Sequence, residues 1–184
     1  PASMAVAIGG DHEYSFFRSG EKVYLFAKAL RESVEKETGL SFGEEILTVR
    51  GRELEGKKAV HPFYPDREIL ILLADYVLLD TGTGCVHTAP GHGVEDYESG
   101  VKYGIEIYNP VDDKGYFKQG TGLVDGLQIK DGSKRILEIL TESGRLLGHG
   151  SISHSYPHCW RCKKPVIFRS TDQWFVSVSD FRAE

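Results

Sequence analysis

His87, His92 and Asp96 fall within ten residues of one another, in the stretch GTGCVHTAPGHGVEDYESG that runs from Gly82 to Gly100. Two imidazoles and a carboxylate are the ligand types of a catalytic zinc, with water in a fourth place. The spacing does not match H-E-x-x-H, and no single element presents the three side chains on one face. A phosphate loop needs G-x-x-x-x-G-K-[ST], and here there is no lysine and a proline removes a needed N–H. A dinucleotide fingerprint needs its glycines to open a helix, whereas a strand follows Gly82 and Gly84. A third chemistry uses charge alone. Gly91-His92-Gly93 precedes a short helix, so Asp96 falls in or near its first turn, where the positive end of the helix favours an ionised carboxylate able to hold a cationic ligand. Against these stand two plain alternatives: a helix-capping role for Asp96 or Glu95, and a strand histidine satisfied by its neighbours at position 87. Spacing alone does not separate them.

The elements that must position these residues are short. Runs at 4–27, broken at GGDH and RSGEK, read as a β-meander. LFAKALRESVEKETG then takes helical spacing and stops at Gly39. Residues 44–58 read as strand and turn. EILILLADYVLLD reads as two strands, or one with a bend, interrupted at Asp75. GTGCVHTAP predicts a turn and a strand, and GVEDYESGVKYG a helix ending at Gly104, with Tyr97 in the core. NPVDDKGYF predicts a hairpin-like connection. DGSKRILEILTESG predicts a helix with Asp131 as N-cap, an apolar stripe of Ile136, Leu137, Ile139 and Leu140, and a stop at Gly144. VIFRSTDQWFVSV reads as a further strand. The fold class expected is α+β, with a barrel-like sheet and a few peripheral helices.

Bulk properties narrow the function. The chain has 184 residues and a formal net charge of −5, so it lacks the basic excess of a free-standing nucleic-acid binder. The densest basic patch is Arg161, Lys163, Lys164 and Arg169, readable as a solvated face or as a contact for a nucleic-acid end. Three cysteines, Cys85, Cys159 and Cys162, argue against a disulfide framework and for a reducing compartment. No apolar run is long enough to span a membrane. Cys159-x-x-Cys162 has the spacing of half a zinc knuckle.

ADYVLLDTGTGCVHTAPGHGVEDYESGVKYG resembles the editing domain of bacterial isoleucyl-tRNA synthetases, and so does SHSYPHCWRCKKPVIFRSTDQWFVSV. PASMAVAIGGDHEY is similar to the segment that follows the family's threonine-rich peptide. Valyl and leucyl relatives carry PAHD and no histidine at position 87, whereas this chain reads VHTAPGHG. The aminoacylation signatures, HIGH-type and KMSKS-type, are absent, so the resemblance implies an editing domain at 1–150 and a segment at 151–184 returning toward a catalytic core.

The implied reaction is metal-independent hydrolysis of Val-tRNA(Ile), with valyl-adenylate as a further candidate substrate. It implies no cofactor for editing and a cytoplasmic location. The implied partners are the tRNA(Ile) acceptor end and the remainder of a synthetase, with no membrane. By analogy Asp96 anchors the α-ammonium and His87 excludes isoleucine, with His92 and Ser3 in the substrate site and Arg161, Lys163 and Lys164 toward tRNA. Zinc belongs, in this reading, to the parent enzyme, where a second C-x-x-C pairs with Cys159 and Cys162. His154 or His158 could complete a site here, but no bound zinc is expected. The family's PAN reads Pro1-Ala2-Ser3, and the threonine-rich peptide is expected before Pro1. The alternative function is therefore a tRNA-docking or structural module with impaired hydrolysis.

Overall fold

The computed structural model describes residues 1–151 and 155–179. Two separate sheets carry the fold. The strands are β1 (Ala5–Ile8), β2 (Glu13–Ser19), β3 (Lys22–Ala27), β4 (Glu45–Arg50), β5 (Lys58–Val60), β6 (Glu68–Leu73) and β7 (Cys85–Thr88). The helices are α1 (Arg31–Thr38), α2 (Gly51–Leu54), α3 (Val94–Tyr103) and α4 (Ile129–Glu142). One sheet has the order β5-β6-β1-β7 and the other β3-β2-β4. The α+β class holds, but among the described residues the sheets do not close into a barrel.

Residues 4–27 do not form one meander. β2 and β3 make the expected antiparallel hairpin, but β1 joins the other sheet, parallel to β6 and antiparallel to β7. β1 is short and nearly all buried, with Ala5, Ala7 and Ile8 inside, which suits a central strand covered on both faces. The Tyr14 hydroxyl joins the sheets. It donates to the Gly84 carbonyl at 2.7 Å and accepts from Gly9 N–H at 2.9 Å.

Other expectations shift by a few residues. Leu25 and Phe26 belong to β3, a 3-10 turn covers Lys28–Leu30, and α1 begins at Arg31 and ends at Gly39, which takes the left-handed conformation. Asp75 does interrupt the 68–80 run, but only one strand, β6, precedes it and none follows. α4 starts earlier than expected. Its N-cap is Gln128, whose side chain accepts from Lys130 N–H, and Asp131 lies in the first turn. No strand occurs between residues 155 and 179, where the only regular pairing is a bridge between His158 and Pro165.

Three apolar clusters fill the interior. Phe17, Phe26 and Phe42 centre the first, with the Phe17 and Phe26 rings stacked at 4.6 Å. Ala5, Ala7 and Leu72 form the second, with Tyr103 and Ile105 packed against it. Val111, Phe117 and Val124 form the third, under Ile129 and Ile136 of α4. Gly132 lets α4 approach, because a Cβ there would sit 2.4 Å from the Phe117 ring.

Candidate functional site

β7 carries His87 on the edge of its sheet, opposite Val6 of β1. Thr88 is buried, whereas Val86 and His87, on opposite faces of this edge strand, are both accessible. The chain then turns through Ala89–Gly93 into α3. The turn is tight at Gly91, where a Cβ would lie 2.3 Å from the Tyr108 carbonyl oxygen. Asp96, in the first turn of α3, reaches back across this loop, and its Oδ2 accepts from Ala89 N–H at 2.9 Å. The carboxylate thus ties the end of β7 to the start of α3.

A cavity of about 670 Å³ opens beside this loop. Ser3, His61, His87 and His92 line it, together with Pro1 and Ala2. Ile136 and Leu140 of α4, with Phe117 and Phe168, supply an apolar wall. The half-buried stripe of α4 is therefore a cavity wall as much as a core face. Asp96 is not on the lining. It stands behind Ala89, which is, and its charge still reaches His87. His87 is open to the cavity but closely surrounded by protein. Loss of solvent outweighs the Asp96 charge, and its pKa falls below the usual histidine value. Tyr97 was expected in the core; it is 47% exposed, on the outer side of α3.

His92 is fixed by the returning chain. Its Nδ1 donates to the Phe168 carbonyl at 2.9 Å, so the neutral ring carries its proton there and presents a bare Nε2. That Nε2 is buried and has no partner among the described residues. Burial lowers the His92 pKa, against the opposing pull of the Phe168 carbonyl. Ser170 N–H donates to the Gly91 carbonyl, and the Asn109 side-chain amide donates to the Ser170 carbonyl, both at 2.7 Å. Ser3 lines the cavity, its hydroxyl donating weakly to the Ala5 carbonyl at 3.5 Å.

His61 was not singled out by the sequence. It follows β5, is 1% exposed, and accepts from Phe63 N–H at 3.0 Å through Nδ1. Its only signal was a histidine before proline in an aromatic turn, HPFYP, which spacing does not connect to the Gly82–Gly100 stretch.

Among the described residues, no three histidine, cysteine, aspartate or glutamate side chains are grouped to hold a metal ion. Cys159 and Cys162 share a tight turn. Backbone N–H groups of Cys162 and Arg161 lower the Cys159 pKa, and Lys163 takes a left-handed φ of 59°. This turn offers two thiols of a tetrahedral set. His158 lies beside it with Nδ1 bonded to the Tyr156 carbonyl, and His154 lies outside the described residues. Cys85 stands apart on β7, its thiol pushed up to about 11 by burial. Arg161, Lys163 and Lys164 are exposed, and the Arg161 guanidinium lies over the Trp160 ring at 5.1 Å.

The chain is similar to known proteins along its whole length. It is 50% identical over 184 residues to an isoleucine–tRNA ligase of Caldanaerobacter subterraneus subsp. tengcongensis, covering 100% of this chain and 20% of that protein. It is 52% identical over 185 residues to the isoleucine–tRNA ligase of Nitratidesulfovibrio vulgaris, again covering 100% of this chain and 20% of that protein. The chain thus spans about a fifth of the length of these relatives. In fold it is similar to the crystal structure of GlLeuRS-CP1, with a TM-score of 0.63 over 82% of this chain and 79% of that one, at 16% identity. It is also similar to the P. knowlesi cytosolic leucyl-tRNA synthetase editing domain, with a TM-score of 0.58 over 80% and 78% of the two chains, at 12% identity. Residues 12–140 match the family model described as leucyl-tRNA synthetase, editing domain, and the chain belongs to that family.

Proposed function

We propose that the cavity beside β7 hydrolyses the ester of Val-tRNA(Ile), releasing valine and a tRNA with a free terminal hydroxyl. A synthetic pocket built for isoleucine gains only about 1–3 kcal/mol against valine from one methylene, so a second, smaller site is needed to remove the error. Asp96, its Oδ2 tied to Ala89 N–H, turns its other carboxylate oxygen to a substrate α-ammonium that enters past the lining at the Ala89–Gly93 edge, in a charge-assisted hydrogen bond. His87 walls off a side chain longer than valine. Ser3 and His92 offer polar contacts along the lining. The ester is already activated, so holding and polarising a water molecule carries the step, and no step is routed through a metal.

The observation that carries this reading is the convergence of Ser3, His87 and His92 on one cavity, with the Asp96 carboxylate fixed beside it by Ala89. The tRNA(Ile) acceptor end is the proposed partner, met by Arg161, Lys163 and Lys164. The segment from 151 is proposed to return toward the remainder of a cytoplasmic synthetase. The Arg161–Trp160 pair also suits passive tRNA docking, the competing role.

Deacylation assays separate the two. Asp96→Ala abolishes hydrolysis of Val-tRNA(Ile), and His87→Ala begins to hydrolyse Ile-tRNA(Ile). If both variants hydrolyse as the unaltered chain does, the site assignment is wrong. If the unaltered chain binds tRNA without deacylating it, docking is the better reading.

A further inference from the structure

His61 and His92 flank the cavity with opposite hydrogen-bonding polarity, and the backbone sets both. Phe63 N–H occupies Nδ1 of His61, so the neutral ring must carry its proton on Nε2. That Nε2–H is buried and has no partner among the described residues. The Phe168 carbonyl does the reverse at His92, leaving Nε2 as a bare acceptor. An unpaired buried donor is costly, so a group kept in that state in the wall of a cavity is a candidate ligand contact.

The sheet sets their separation. His61 follows β5 and His92 follows β7, the two edges of the order β5-β6-β1-β7. Three interstrand steps put those backbones about 14 Å apart. A substrate held by its aminoacyl end at β7 and lying along the cavity would bring its nucleoside toward β5. There the cavity offers His61 together with the flat apolar surfaces of Pro62 and Phe63. A purine ring presents matching faces and, at its edge, ring nitrogens that accept but do not donate.

We infer that the His61 Nε2–H donates to a ring nitrogen of the substrate's terminal adenine, making His61 a base-binding residue at the far end of the cavity. The inference rests on the substrate reading above. Burial, with a smaller contribution from Arg67, lowers the His61 pKa to about 4, so the ring is neutral at physiological pH.

The test is an NMR titration with a non-hydrolysable 3′-deoxy-3′-(L-valylamino)adenosine and its 1-, 3- and 7-deaza analogues. The unaltered chain should bind one deaza analogue about tenfold more weakly than the parent compound, the loss of one hydrogen bond. His61→Phe should bind the parent about tenfold more weakly and lose that discrimination, and His61→Gln, which keeps a donor, should recover part of both. Ring ¹⁵N shifts should report Nε2–H at His61 and Nδ1–H at His92. Equal binding of all three deaza analogues by the unaltered chain overturns the inference, as does discrimination that survives in His61→Phe. A parent compound that binds in an Asp96-dependent way without any deaza effect sinks only the adenine contact. One that shifts neither His87 nor His92 sinks the substrate reading itself.

Discussion

The two-sheet body and the segment from 155 to 179 are held by different forces. The body buries Tyr14, Phe17, Phe26 and Phe42 almost completely, and its strands exchange regular ladder bonds. The later segment exposes Trp174 fully and Phe175 at 90%. It is fastened near the site by a few polar bonds, from Phe168 and Ser170 to His92, Gly91 and Asn109. Apolar burial makes the body stable, whereas individual hydrogen bonds contribute only about 1 kcal/mol each. The loop that shapes the site therefore sits between a rigid support and a weakly tied strap.

The strongest way to break this contrast is in the body. Phe26→Ala removes a buried, stacked ring and should cost about 3–5 kcal/mol, read from urea unfolding. A loss below 1 kcal/mol would mean that the first cluster is not the main support.

Acid comes next. The His61 pKa is lowered from 6.5 to about 4, so the unfolded chain takes up a proton between those values and the folded one does not. Stability should be intact above pH 6.5 and should fall as pH drops toward 4, by on the order of 2–3 kcal/mol from this group. The slope should flatten in His61→Phe. An unchanged slope would place the acid sensitivity elsewhere.

The strap should respond more gently. Asn109→Ala removes one of its ties and should cost about 1 kcal/mol or less. Limited proteolysis should then cut sooner between 155 and 179, with the urea midpoint of the body nearly unchanged. A parallel loss in both measurements would make body and strap one cooperative unit. Smallest of all, Trp174→Ser touches nothing buried and should shift the midpoint by less than about 0.5 kcal/mol.

Local signals survived the passage from sequence to structure where the physics is local. Gly39 and Gly144 stop helices because a left-handed residue costs glycine little, and both take positive φ. Asp75 ends β6. The failures are non-local. Nothing within residues 4–27 shows that β1 pairs with Leu70–Leu73 and Cys85–Thr88, because a buried strand of four residues carries no address for its partner. VIFRSTDQWFVSV has strand composition but finds no ladder, so β propensity without a neighbour produced no strand. In the site, His87, His92 and Ser3 were legible as cavity residues through the resemblance. The placement of Asp96 behind Ala89 was not, because a carboxylate in a first turn can equally face a ligand or the preceding loop. His61 was illegible because its importance lies in a bond from Phe63 that only the folded turn creates.

The parallel pairing of β1 with β6 also sets a timetable. Ala5 waits for Leu70 to gain its first ladder partner, and for Thr88 to gain its second. At ribosomal rates of roughly 5–20 residues per second that wait lasts several seconds, during which β1 is an unpaired apolar strand. The β2–β3 hairpin closes over a far shorter loop and can form first. The central strand of the site sheet is thus made well before its partners and is among the last strands of this fold to be housed. A nascent chain halted between Leu73 and Cys85 would hold β1 on one side only, leaving its β7 edge open to any other strand that reaches it.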